Sequence, residues 1–345
     1  MKAAVFYGPN QPLKVEEVPM PVIGAGEVLI KVAACGLCHT DIGYIDHGTP
    51  TFKKPPLILG HEVSGTVSEV AQDVTTFKVG DHVLMPAVFA CGECNPCREG
   101  RGNTCENMKM PGNDVDGGYA EYVKAPANNL FHLPDEIPLI EGAIIADAIT
   151  TPFHAVKNRS GVKPGDKLLV FGCGGVGLNL VQIANAAGAS VYAVDIMKFK
   201  LDKAKELGAV GTFNPKDYPD DKSFVKAVKK ATGGGVDIAL EVIGNPKTLE
   251  TTFNLVRNGG RLVIVGYPPS PMTLNASKVM YREMEVVGSL GCSLQDYPKA
   301  IEMVRNGKIQ LVPMVTKRFS LDQINEGLDF LRSGEGIRSV VVPNL

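Results

Sequence analysis

The chain has 345 residues, 44% of them hydrophobic, and a formal charge of −2 at pH 7. That length exceeds one ordinary core and predicts two domains, while the near-zero charge leaves no basic surface for nucleic acid and no polyanionic tail. No window reaches the about 18 uninterrupted apolar residues of a membrane span, and "MKAAVFYGPNQPLKVEE" lacks the apolar stretch and cleavage site of a secretory signal. A cytoplasmic protein with no membrane or nucleic-acid partner is therefore expected, in a reducing compartment where clustered cysteines are metal ligands more often than disulfides.

The first 130 or so residues carry short β-branched runs, "EVLIKVAACG", "HEVSGTVSEV" and "VGDHVLM", broken by glycine and proline. That texture predicts an antiparallel β domain with long functional loops. Within it "CGECNPCREGRGNTC" places Cys91, Cys94, Cys97 and Cys105 at C-x2-C-x2-C-x7-C spacing. Four thiolates close a tetrahedral zinc shell with no position left for substrate, so a lobe at about 90–106 reads as structural. An iron–sulfur cluster would use the same ligand type. Cys38 in "CGLCHTDIGY" and His61 in "LILGHEVSG" also lie on loops of this domain. Spacing alone does not decide between metal ligands and packing residues there. Cys35, Cys173 and Cys292 read as small buried hydrophobes, and His82, His132 and His154 as structural or exposed.

Near residue 150 the texture changes. "TTPFHAVKNRSGVKPGD" predicts a helix with proline at its start, and "KLLVFGCGGVGLNLVQIANAAGASVYAVDI" a strand, a glycine turn, a helix and a second strand. The apolar runs "VDIALEVIG", "RLVIVGY" and "MEVVGSL" then alternate with helical patterns such as "NPKTLETTFNLVRNGG", which predicts a doubly wound parallel sheet. The charged run "KDYPDDKSFVKAVKK" reads as a loop and a solvated helix. After about 290, two helical stretches and a final strand, "SVVVP", are expected to rejoin the first domain. The expected boundaries are 1–150, 151–289 and 290–345.

Gly172, Gly174 and Gly177 fit G-x-G-x-x-G, with Gly175 in the same loop and Asp195 ending the next strand. Gly172 permits the tight turn, Gly174 lets backbone approach a pyrophosphate, and Gly177 lets the helix pack on the sheet. The helix N-terminus faces the phosphate charge. Asp195 would accept hydrogen bonds from the adenosine ribose and repel a 2′-phosphate, favouring NAD over NADP. Glycines that only make a turn would explain the spacing; the surrounding strand, helix and aspartate favour the cofactor.

With "CHTD", "GHEVSGTV", the four-cysteine lobe and the dinucleotide fingerprint together, the chain resembles the zinc-dependent medium-chain alcohol dehydrogenases over essentially its whole length. The resemblance implies a GroES-like antiparallel β catalytic domain with a Rossmann cofactor domain, two zinc ions per chain, and NAD. The implied reaction is reversible hydride transfer from an alcohol, here expected to be secondary, giving a ketone or aldehyde. Cys38 and His61 become catalytic zinc ligands, with a third just before the cofactor domain. Many members have cysteine there; this chain has Asp147 in "IIADAITTPFHAV", as some members do, and its ordinary alternative is a helix N-cap before "TTP". Glu62 would support the site or act as an occasional fourth ligand, Asp41 would orient the His61 ring, and Thr40 would pass the alcohol proton outward. Many relatives continue that relay through a histidine where this chain has Gly43; the cofactor ribose, water or His47 would have to substitute.

Matching local sequence brings His39 and Arg338 toward the pyrophosphate, Val176 and Thr151 toward the nicotinamide, Ile243 to the adenosine side and Val265 to the carboxamide side. A narrower resemblance, to 6-hydroxycyclohex-1-ene-1-carbonyl-CoA dehydrogenases, rests on "CGLCHTDIGY", "KMPGNDVDGGYAEYV", "ADAITTPFHAV", "GCSLQDYPKAIEMVRNGKI" and Gly43. It implies a cyclic hydroxyacyl-CoA thioester as alternative substrate, with Lys53, Lys54, Arg98, Arg101 and Lys109 as a cationic rim. The family's dimers and tetramers imply a homo-oligomer, tetramer favoured. The remaining alternatives are a non-catalytic NAD-binding or structural member of the fold and a zinc-free quinone reductase; the Cys38–Glu62–Asp147 set argues against both.

Overall fold

The computed structural model describes residues 1–268 and 270–345. It divides into two compact units, Met1–Thr150 with Gly291–Leu345, and Thr151–Leu290. Among the described residues no single helix is long and apolar enough to cross a membrane.

The first unit begins with β1 (Lys2–Phe6), β2 (Lys14–Glu17), β3 (Glu27–Gly36), β4 (Leu57–Ile58), β5 (Val63–Val70), β6 (His82–Met85), β7 (Tyr122–Pro126) and β8 (Phe131–His132). β1 pairs antiparallel with β2 and β4 in a small sheet. β3 is the spine of a larger one, antiparallel to β5 along one edge and to β7 along part of the other. Val28, Ile30, Val32, Val63, Val67, Val83 and Met85 are buried in one core, where β-branched side chains pack well on a pleated surface.

The second unit holds β9 (Lys167–Phe171), β10 (Ser190–Val194), β11 (Gly211–Phe213), β12 (Val236–Glu241), β13 (Val256–Ile264) and β14 (Glu285–Gly288). All pairs are parallel, in the order β11-β10-β9-β12-β13-β14. β9 is buried from Leu168 to Phe171 without alternation, the signature of a strand covered on both faces. The strand order reverses between β9 and β12, and in such sheets ligands bind beyond the carboxyl ends at that point. The glycine turn after Phe171 and the loop after Glu241 both stand there.

The chain returns to the first unit through β15 (Val315–Ser320) and β16 (Arg338–Val342). β15 was not anticipated: "VTKRFS" carries three consecutive exposed residues and shows no period-two alternation, yet it pairs parallel with β16. β16 in turn lies antiparallel to the end of β3, with Val340 opposite Gly36 and Val341 opposite Cys35.

Candidate active site

β3 ends at Gly36, and the helix His39–Asp46 starts with Cys38 at its N-cap position. Asp41, in the first turn, accepts the Cys38 N–H at 3.3 Å, which fixes the turn that carries the Cys38 sulfur. His61 and Glu62 lie just before β5, after a turn at Gly60 with φ of 95°. A Cβ on Gly36 would sit 2.2 Å from Glu62 Oε2, so only glycine lets these segments close up. Asp147 ends the buried 3-10 turn Ala143–Ala146. Tyr297 Oη and Thr150 Oγ1 donate to the preceding carbonyl of Ala146 at 2.7 and 3.0 Å. The next helix begins at Thr150, so Asp147 is not its N-cap.

Cys38, His61, Glu62 and Asp147 each offer a donor atom, all within 4.8 Å of one another. Cys38 Sγ and His61 Nε2 both lie 3.9 Å from Asp147 Oδ2. Two donors can share one ion only if their separation stays below the sum of their bonds, about 4.4 Å for sulfur–zinc–oxygen and about 4.2 Å for nitrogen–zinc–oxygen. Both pairs satisfy that. Acidic groups and the Cys38 sulfur surround the imidazole. Burial alone would depress His61, but Asp41, Cys38 and Asp147 overcome it and raise the imidazole to about 10.

Burial pushes the Glu62 carboxyl up against the pull of Arg338, whose guanidinium meets it in a buried ion pair. Asp41 Oδ1, His61 Nδ1 and Glu62 Oε1 are buried with no hydrogen-bond partner. Buried polar atoms are nearly always paired in native proteins; the Asp41 and His61 atoms face each other at 3.7 Å, while Glu62, its Oε1 unpaired, stands beside the converging Cys38, His61 and Asp147 donors, a set that fits a divalent cation. Thr40 Oγ1 is 3.5 Å from Cys38 Sγ. Thr40, His39 and His47 are exposed and Gly43 half-buried on the same helical segment.

The second cluster is Cys91, Cys94, Cys97 and Cys105, again with sulfurs within 4.8 Å. The Cys94–Cys105 and Cys91–Cys105 separations are 3.7 and 3.5 Å, near the about 3.8 Å edge of a zinc–tetrathiolate tetrahedron. Backbone N–H groups of Cys91 and Asn107 donate to Cys105 Sγ at 3.3 Å. Those of Glu93 and Cys94 pull the Cys91 thiol down to about 6. All eight cysteines are unbridged.

In the second unit, Gly172 has φ of 105°, and a Cβ on Gly177 would fall 1.7 Å from the Gly172 carbonyl oxygen. Gly174 is open: a Cβ there meets nothing within 4 Å, leaving room for a ligand to approach the backbone. The Asp195 carboxylate accepts the N–H groups of Cys173 at 2.7 Å and Met197 at 2.9 Å, tying the glycine turn to the end of β10. Gly175 is buried, while Val176, Thr151 and Val265 are half-buried. Ile243 is 51% exposed, too open for sheet core.

Two organising residues escaped the sequence reading. Glu241, buried at the end of β12, accepts from the N–H groups of Ile243 and Gly244 at 3.1 and 3.0 Å and from Thr248 Oγ1 at 2.6 Å, shaping the loop that carries Ile243. A charge ending the otherwise apolar run "VDIALE" was its only signal. Tyr297, behind Asp147, gave none.

Residues 24–135 match the model of the alcohol dehydrogenase GroES-like domain and residues 175–306 that of the zinc-binding dehydrogenases. An alcohol dehydrogenase of Geobacillus stearothermophilus is 37% identical over 97% of both chains. A sorbitol dehydrogenase of Bacillus subtilis is 34% identical over 100% of this chain and 98% of its own. A solved zinc-binding dehydrogenase of Sinorhizobium meliloti, bound to NADP, superposes with a TM-score of 0.90 at 30% identity over 99% of both chains. Near-full-length identity at this level, on the two-unit fold described above, makes the chain a member of the zinc-dependent medium-chain alcohol dehydrogenase family, oxidoreductases that work with zinc and a nicotinamide dinucleotide.

Proposed function

We propose that the chain transfers hydride reversibly between a secondary alcohol and NAD, with a catalytic zinc held by Cys38, His61 and Asp147. The supporting observation is the convergence of these three side chains and Glu62, donor atoms within 4.8 Å, in one anionic pocket. When bound, zinc supplies Lewis-acid polarisation of an alcohol oxygen and the nicotinamide supplies the hydride acceptor. The chain's own residues do the rest. Arg338 holds Glu62 in a buried ion pair, which restrains it from becoming a fourth ligand and keeps a position for substrate. Thr40, next to the Cys38 sulfur, accepts the alcohol proton and passes it outward. Asp195 favours a free ribose over a 2′-phosphate, and so NAD. The other four cysteines hold a structural zinc, in a cytoplasmic homo-oligomer.

Relatives with different substrates stand at similar identity, 37% and 34%, so identity does not choose the alcohol. A cyclic hydroxyacyl-CoA thioester is the second reading, and Lys54, Arg98 and Arg101, which make no ion pair among the described residues, favour it. Against it, Lys53 is engaged by Asp116 at 2.5 Å and Lys109 by Asp114 at 3.9 Å. The test is NADH formation by the zinc-replete protein with simple secondary alcohols and with the thioester, alongside metal analysis. Two zincs per chain and turnover of simple alcohols are expected. Turnover of the thioester alone would overturn the substrate, and one zinc with no NADH from either would overturn the enzyme.

A further inference from the structure

Tyr119 has no part in the reaction outlined above, yet it sits fully buried against the metal pocket. Its phenol oxygen lies 2.7 Å from Asp41 Oδ2 and 3.2 Å from the Gly36 carbonyl. A phenol has one proton to donate, and the shorter bond goes to the carboxylate, where a charge-assisted bond is the stronger. Burial, then the Asp41 charge, push the phenol well above its ordinary value, so the proton stays in place. The Cys38 N–H donates to the same oxygen, Oδ2, at 3.3 Å. Oδ1 is left with no partner, 3.7 Å from the equally unpartnered Nδ1 of His61.

We propose that Tyr119 is a positioning residue for the catalytic zinc: by occupying Asp41 Oδ2 it reserves Oδ1 for His61 Nδ1–H and so aims His61 Nε2 at the metal. The inference rests on His61 being a zinc ligand. The aromatic ring and the hydroxyl act separately. A Cβ on Gly60, the residue before His61, would meet the Tyr119 ring at 2.8 Å, so the ring sets the backbone that presents His61. Phenylalanine would keep that packing and remove only the hydroxyl. Asp41 would then hold one N–H donor at 3.3 Å and be free to rotate. The direct partner of a metal-bound histidine, here Asp41, typically accounts for about 10–100-fold in metal affinity, and Tyr119 contributes through it.

The experiment follows zinc release from the holoenzyme to a chromogenic chelator. His61→Ala, lacking the catalytic ion, identifies the catalytic phase. Asp41→Asn is expected to speed that phase about 10–100-fold, and Tyr119→Phe, acting through Asp41, by up to about tenfold, with the structural phase unchanged in both. In Asp41→Asn, adding Tyr119→Phe should produce no further acceleration. An unchanged catalytic phase in Tyr119→Phe, or effects of the two substitutions that simply multiply, would overturn the role of Tyr119 while leaving the site intact. A wild-type protein that holds one zinc, with His61→Ala losing none, would overturn the site and this role together.

Discussion

Replacing Arg338 by methionine tests the ion pair at the back of the metal pocket. Glu62 is 0% exposed and Arg338 5% exposed, so neither charge reaches water. Methionine retains much of the apolar stem, and the loss is mainly of charge and hydrogen bonding. Stranding one member of such a pair costs about 3–5 kcal/mol, a large share of the about 5–15 kcal/mol that holds a native protein together. Burial already pushes the Glu62 carboxyl up, and without Arg338 it should rise further. A carboxyl raised in the folded state contributes stability below its unfolded pKa and loses it as pH climbs through the folded pKa. Both proteins lose that contribution together up to the wild-type Glu62 value of about 7, so the penalty of Arg338→Met should be small in acid and grow as pH rises above neutrality. Urea denaturation of the zinc-loaded variant at about pH 5 and about pH 8 measures this. A loss under about 1 kcal/mol at the higher pH, or no recovery on adding Glu62→Gln, would refute the reasoning.

Three further outcomes are expected. Asp147→Ala should lose the catalytic zinc and NADH formation while retaining the structural ion, whereas Asp147→Cys should keep both metals; metal analysis of the purified variants decides. Gly177→Ala places a Cβ 1.7 Å from a backbone oxygen, so the turn must shift, at about 1–3 kcal/mol or more, and NAD binding by titration calorimetry should weaken. Unchanged stability and affinity would mean that the turn yields freely. Asp195→Ala removes the acceptor of two N–H bonds at 2.7 and 2.9 Å. It also removes the charged acceptor for the adenosine ribose, a bond worth about 1.5–3 kcal/mol, so the KM for NAD should rise about tenfold or more, with a smaller loss for NADP. An equal loss for both would show that the carboxylate serves the turn and not cofactor choice.

The sequence determined on its own what short-range physics encodes. Continuous apolar runs alternating with helical periods specify a parallel sheet, because a strand covered on both faces needs no polar side. The glycine turn of Gly172–Gly177 and the lobe whose Cys91 and Cys105 are 14 residues apart are likewise local patterns. Other relations have no local pattern: family resemblance alone put Asp147 with Cys38, and the Tyr119 and Arg338 contacts came only with the tertiary structure. Asp147 meets Cys38 from 109 residues away, Tyr119 meets Asp41 from 78, and Arg338 meets Glu62 from 276. Each depends on tertiary packing, and the Arg338 contact on β16 returning beside β3, which no local period records. β15 stayed hidden for the same reason: half of its residues are exposed, and its pairing with β16 lies in backbone hydrogen bonds that its side chains do not announce.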